Sequence, residues 1–210
     1  MRNLKKRLGA LISAFLLCGI FAVSSQAVNV TCTDCGHRFN CEIGIDGQAR
    51  FKPRASASVI IERDFEGSRQ VLLQLRKNTG WMDSMWDFGA CGHLDEGETL
   101  LSAALRETKE ELGVAATGED MEFVFLGSNF VESKGIYCCT YFKLKNFTGK
   151  LKVGEPEFCE EIKWFDVNNL PENMVPMQRF ALENYIEGAF YGEFGWEKYS
   201  RKNDLGLCSR

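Results

Sequence analysis

The segment GHLDEGETLLSAALRETKEELGV, from Gly92 to Val114, limits what this chain can fold into more than any other stretch. From Glu98 onward Leu100, Leu101, Ala104, Leu105, Thr108 and Leu112 recur at helical spacing, and Gly113 is a suitable stop. A glycine loop therefore feeds a helix that carries Arg106, Glu107, Glu110 and Glu111. At the α-helical rotation per residue, Glu107 and Glu111 fall about 40° apart on one face, with Glu110 beside them. Carboxylates this close repel one another when unpaired. A divalent cation removes the repulsion, and hard oxygen donors suit Mg²⁺ or Mn²⁺. Such a cluster can neutralise a diphosphate, orient it and lower the pKa of an attacking water. Arg106 can pair with a neighbouring carboxylate and fix its rotamer. The plain alternative is a solvated charged face, the usual role of a Glu/Lys-rich run taken alone.

The full spacing separates these readings. Gly92, five residues, Glu98, seven residues, Arg106-Glu107, then Glu110-Glu111, Gly113 and Val114 match G-x5-E-x7-R-E-U-x-E-E-x-G-U, where U is bulky and apolar. The one departure is Thr108, at a U position that is usually aliphatic; its methyl can still pack. On these residues the chain resembles the Nudix hydrolases. QLRKNTGWMD (74–83), GEPEFCEEIKWFDVNNLPENMVP (154–176) and YGEFGW (191–196) extend the resemblance over about residues 53–196, toward a bacterial branch of small members with no assured substrate.

The resemblance implies an α/β/α sandwich with a mixed sheet, and hydrolysis of a nucleoside diphosphate linked to another moiety. It assigns Glu107, Glu110 and Glu111 to the metal, with one of them as base for the attacking water, and Arg106 to orient them. Glu98 would brace the loop, and the backbone carbonyl of Cys91 would complete the metal shell. Two alternatives stand beside hydrolysis. Isopentenyl-diphosphate isomerases share this fold and use a cysteine, and Cys91-Gly92-His93 superficially resembles their loop, although they typically carry a degraded form of the pattern. A non-catalytic nucleotide-binding module is the other, and such modules tend to lose the acidic residues that this chain keeps.

Outside the segment, Arg76, Trp81 and His93 are candidate substrate contacts. Each has an ordinary counterpart: Arg76 with Lys77 as a solvated basic turn, Trp81 and Trp86 as core, His93 as a structural hydrogen-bonding group. Glu132, Glu155 and Glu160 lie where an additional metal ligand or base is often placed in the family, with no ground for choosing among them.

The remaining pattern is that of a mixed α/β domain. Ala55–Arg63 and Gln70–Arg76 are partly alternating runs joined by Asp64–Ser68, a hairpin pattern. Met85–Ala90 reads as a short strand ending at glycine, and Glu122–Glu132 and Ile136–Lys145 as two strands around Ser133-Lys134-Gly135. Glu161–Asp166 is a further strand. Pro176–Gly188 reads as an amphipathic helix with Phe180, Ala181, Tyr185 and Ile186 inward. More strands than helices suggests a mixed sheet with helices on both faces.

The N-terminus has a different character. Arg2, Lys5, Lys6 and Arg7 precede the apolar run Leu8–Val23 and then Ser24-Ser25-Gln26-Ala27, the layout of a secretory signal with cleavage after Ala27. The run is shorter than the about 20 residues of a spanning helix, which favours a cleaved signal over a membrane anchor; lipidation at Cys18 is disfavoured by bulky Leu17. The expectation is export, with a membrane-anchored or cytoplasmic chain as alternatives and membrane contact only through this segment. Removing Cys18 leaves an even set from nine cysteines. Cys32, Cys35 and Cys41 crowd with His37 in residues 28–52, read as a cysteine-rich linker. Zinc there lacks the second Cys-x-x-Cys of a ribbon, so disulfides or free thiols are favoured. Cys138 and Cys139 sit on opposite faces of one strand. A net charge of −4 without a Lys/Arg-dense face argues against coating nucleic acid and leaves a small nucleotide-type substrate open, as it leaves the oligomeric state. Residues 197–210 read as a tail.

Overall fold

The structure, a computed structural model, describes residues 27–31, 38–43, 49–132 and 134–198, with backbone alone before Lys52. The readings placed on residues 1–26, on Cys32, Cys35 and His37, and on the end of the tail lie outside these residues. The chain divides into two compact units, Met1–Lys52 with Tyr199–Arg210, and Pro53–Lys198. In the first, β1 (Ala27–Thr31), β2 (Arg38–Ile43) and β3 (Ala49–Phe51) form an antiparallel meander, with Cys41 opposite Val28 on one side and Phe51 on the other. The stretch read as a linker thus carries strands. Each is so short that its alternation is lost among polar residues.

In the second unit, β4 (Arg54–Phe65) and β5 (Ser68–Arg76) form the expected hairpin. Its turn residues Glu66 and Gly67 both take positive φ (52° and 79°), the twist that two-residue hairpin loops favour. The single strand expected over Met85–Ala90 is two. β6 (Trp86–Phe88) pairs with β5, and β7 (Ala90–His93) pairs with β4. Gly89, with Leu72 and Leu112 close around it, is where the chain changes partner. β8 (Met121–Val131), β9 (Gly135–Leu144), β10 (Cys159–Asp166) and β11 (Tyr191–Phe194) complete a sheet ordered β10-β5-β4-β9-β8-β11, with β6 and β7 on β5 and β4. The pairs β4–β9 and β8–β11 are parallel, so the sheet is mixed.

Two helices cover it, α1 (Leu100–Leu112) and α2 (Pro176–Ile186). Side-chain alternation along β4 decides which helix meets which face. Ile60 joins a core with Met177, Ala181 and Leu182 of α2, whereas Ala57, Val59 and Ile61 join another with Ala103, Ala104 and Leu112 of α1. The result is the α/β/α sandwich. The inward face of α2 is partly the expected one, with Phe180 and Tyr185 packed against the core from its margin. Ala181 is buried as expected, but its companions are Met177, Gln178 and Leu182; Phe180 and Tyr185 are half-buried and Ile186 is 37% exposed. So short a helix presents one stripe, here i, i+4, i+5, and Tyr185 sends its hydroxyl to Glu62 at 3.1 Å.

α1 is fixed at both ends. Thr99 caps the N-terminus, its hydroxyl accepting from the Ser102 N–H at 3.1 Å while the Ser102 hydroxyl accepts from the Thr99 N–H at 2.8 Å. Gly113 ends the helix in the left-handed region (φ 67°). The following loop docks on that end: Lys152 N–H donates to the Leu112 carbonyl and Gly154 N–H to that of Glu111. The unit extends to Lys198, past the boundary drawn at 196, because a 3₁₀ turn Trp196–Lys198 is anchored by the Trp196 indole N–H on the Ser128 carbonyl, 2.7 Å away.

Candidate active site

Arg106, in the middle of α1, organises the acidic side chains around it. Its Nε and Nη2 donate to the two oxygens of Glu98 at 2.8 and 2.9 Å, and Nη1 donates to Glu107 at 2.7 Å and Glu110 at 3.0 Å. Nη2 also reaches the His93 carbonyl at 3.0 Å, so one guanidinium ties the helix to the loop before it. Glu98 in turn accepts the Asp95 N–H at 3.1 Å. Arg106 first, and that N–H second, hold the Glu98 carboxyl down to about 2. Glu98 thus joins the Asp95 backbone of the loop to Arg106 of the helix.

Glu107 and Glu111 reach the strand that precedes the loop. Glu107 is 9% exposed, although it sits on a helix face that would otherwise be apolar. Burial raises its pKa against the opposing pull of Arg106. Gly92 lies directly against this carboxylate, and a Cβ at Gly92 would overlap it. Glu111 accepts the Cys91 N–H at 2.6 Å. Burial pushes its carboxyl up to about 8, the Cys91 bond works the other way, and the charge of Glu107 adds to the rise.

Glu110 behaves differently. Its carboxylate is about half exposed and turned to Arg106, and it lines a shallow depression of about 500 Å³ with Leu105 and Lys109. Among the described residues, no three acidic, histidine or cysteine side chains are gathered as a ready cage. Of the three outlying glutamates, Glu155 is brought near enough to Glu107 for its charge to bear on it, by the docked loop that Gly154 begins. Glu160 pairs with Lys77 at 3.0 Å, and Glu132 is exposed at the end of β8. The donors fit a hard divalent cation: carboxylate oxygens from one helix, two of them (Glu107 and Glu111) against the Cys91–Gly92 backbone, with a glycine where a side chain would fill the space.

Beside Cys91 and Gly92 opens a cleft of about 280 Å³. Arg76, Trp81 and His93 all line it, together with Arg54, Asp87, Lys134, Tyr137 and Gln178, which sequence reading did not single out. Their common address depends on strand register: Arg54 pairs with Tyr137 across β4 and β9, and Ser56 with His93 across β4 and β7. Asp87 is 1% exposed, bound to Arg76 at 2.8 Å and to the Gln178 amide at 2.7 Å. Arg76 is therefore a fixed cation, not a solvated one, and its guanidinium covers the Trp81 ring at 5.3 Å. Trp86, by contrast, is core, edge-on to Phe165 at 4.6 Å. Cys91, Cys138, Cys139 and Cys159 are free thiols, with Cys139 buried and Cys138 half-buried on the other face of β9. Burial first, then the charges of Asp87 and Glu111, push the Cys91 thiol well up.

The family model for the NUDIX domain matches residues 52–185. Nudix hydrolase 3 of Arabidopsis thaliana is 40% identical over 63 residues, which are 29% of this chain and 8% of that protein, so the chain spans less than a tenth of that curated relative. A MutT NUDIX hydrolase from Burkholderia pseudomallei superposes with a TM-score of 0.56 at 26% identity, covering 63% of this chain and 97% of that one. The E. coli ORF135 protein superposes at 0.51 with 25% identity over 65% of this chain and 90% of its own.

Proposed function

Because this chain belongs to the Nudix hydrolase family, whose members are pyrophosphatases acting on nucleoside diphosphate derivatives, we propose that it hydrolyses the diphosphate bond of a nucleoside diphosphate linked to another moiety. The observation that carries the reading is the meeting of Glu107 and Glu111 at the Cys91–Gly92 backbone, beside a cleft walled by arginine and tryptophan.

Glu107, Glu110 and Glu111, with the Cys91 carbonyl, would hold Mg²⁺ or Mn²⁺. When bound there, the cation neutralises the diphosphate and activates a water. The chain supplies the rest. Arg106 fixes the rotamers of Glu107 and Glu110 and ties them to the loop. Glu111, its orientation set by the Cys91 N–H, would be the carboxylate available to take up the water's proton, its ionised form favoured by the cation it would help to hold. Glu155, close to Glu107, is the outlying carboxylate best placed to assist. Arg76, held by Asp87, presents a fixed positive charge to phosphate oxygens, and Trp81 offers an apolar wall to a base.

Incubating the purified protein with nucleotides, nucleotide sugars and ADP-ribose tests this reading. Release of phosphate or a nucleotide product that requires Mg²⁺ or Mn²⁺ is expected; no release with either metal would sink it. Export is proposed with it, supported by the basic and apolar start of the sequence. A mature N-terminus just after Ala27 is the expected result of N-terminal sequencing, and an intact Met1 in soluble cytosol refutes export.

A further inference from the structure

The cleft carries more positive charge than cleavage of one diphosphate calls for. Arg76 is matched by Asp87. Arg54 and Lys134 also line the cleft, and among the described residues neither has an acidic side chain at ion-pair distance. The Arg54 guanidinium donates instead to a neutral group, the Tyr137 hydroxyl, at 2.8 Å, and its Cζ lies 5.6 Å from the centre of that ring. His93 is also beside Tyr137, ring centroids 5.7 Å apart. Burial first, and then the charges of Arg54 and Lys134, disfavour protonation of His93, and that both charges reach it places all three in one neighbourhood. Three of the four stand on neighbouring strands, β4, β9 and β7, so the arrangement is rigid.

Position says which part of a ligand this cluster meets. Ser58 on β4 is the register partner of Cys91, whose N–H holds Glu111. Arg54 is four residues back along the same strand, about 13 Å away. The Glu111 end of the cleft receives the bond to be cleaved. A group at the Arg54 end therefore belongs to the remote part of the same substrate. Two cations with a phenol and an imidazole suit a doubly charged, tetrahedral anion better than a single carboxylate, which one arginine would satisfy.

We propose that Arg54, Lys134, Tyr137 and His93 form a subsite for a phosphate monoester carried on the moiety beyond the scissile diphosphate, so that the chain prefers substrates bearing that extra phosphate. The proposal rests on the diphosphate reading above and narrows its substrate class. Two matched pairs test it, NADPH against NADH and coenzyme A against dephospho-coenzyme A, whose members differ by one phosphate monoester. Titration calorimetry of the full chain in EDTA reads affinity without turnover. The phosphorylated member of at least one pair is expected to bind about 10-fold or more tightly, the size of one charge-assisted contact. Lys134→Gln, on an exposed turn, should shrink that ratio, and Arg54→Gln with Lys134→Gln should bring it to within about twofold. Equal affinities in both pairs, or a ratio that survives both substitutions, would overturn the proposal. Adding Mg²⁺ to the same samples reads hydrolysis separately: absent turnover strikes the diphosphate reading, whereas absent preference strikes the subsite.

Discussion

Gly92 and Glu111 show how single residues set this site. Gly92 was legible in the sequence as a fixed position, but the reason for it was not. In the fold it gives room to the Glu107 carboxylate, which a methyl would displace. Gly92→Ala is therefore expected to lower kcat/KM by about 100-fold, the scale of a misplacement near 1 Å, with little change in melting temperature; activity within twofold of wild type would show that Glu107 has room to move. Glu111 carries a testable sign. Its carboxyl titrates near 8 in the folded chain and near the ordinary glutamate value when unfolded. Between those values the folded state holds a proton that the unfolded state has lost, so metal-free stability falls as pH rises through that window and levels off above 8. Glu111→Gln, which keeps an oxygen for the Cys91 N–H, should stabilise the protein in EDTA at pH 8.5 by on the order of 3 kcal/mol and leave it unchanged near pH 4. Denaturant melts at the two pH values give the answer, and a variant less stable at pH 8.5 refutes it.

Among the elements, α1 and the loop docked on it do most to place the chemistry. The helix was readable because its apolar period, its Gly113 stop and its charges agree. Its Thr99 cap is equally visible in the Thr-x-x-Ser spacing, directly before Leu100, the first residue at helical spacing. Thr99→Ala should cost about 1 kcal/mol in chemical denaturation. The docked loop had no such pattern. Gly154 lies against the backbone of Glu110 and Glu111 and donates to the Glu111 carbonyl, and this docking, with the Lys152 bond to Leu112, holds the segment whose Glu155 bears on Glu107. Gly154→Ala is expected to destabilise by about 1–3 kcal/mol as an overpacked contact and to lower turnover as well, both measurable on one preparation. Glu132, Glu155 and Glu160 were indistinguishable in sequence because the docking of a loop on a helix end leaves no periodic trace. The division of Met85–Ala90 into β6 and β7 was hidden for a similar reason: a change of pairing partner at Gly89 leaves no periodic mark in so short a stretch.

For the whole molecule, among the described residues, both apolar cores and every candidate active-site residue lie within Pro53–Lys198. A chain limited to residues 53–198 is accordingly expected to unfold in one cooperative transition and to retain the wild-type kcat/KM within about threefold; loss of cooperativity would show that the N-terminal strands are required. The sequence by itself determined the family, the helix with its carboxylates, the hairpin, and the pairing reach of Arg106 on that helix, because each depends on spacing within a short stretch and the period of a helix or strand converts spacing into geometry. The tertiary structure alone decided which carboxylates meet. It set Glu107 and Glu111 at the Cys91–Gly92 backbone and left Glu110 on the outer flank with Arg106. It also drew Arg54, Lys134 with Tyr137, and Gln178 into one cleft from three separate parts of the chain. Those meetings depend on strand register and on the helix that covers each face, where a shift of one residue turns every side chain to the opposite side, and no local spacing encodes them.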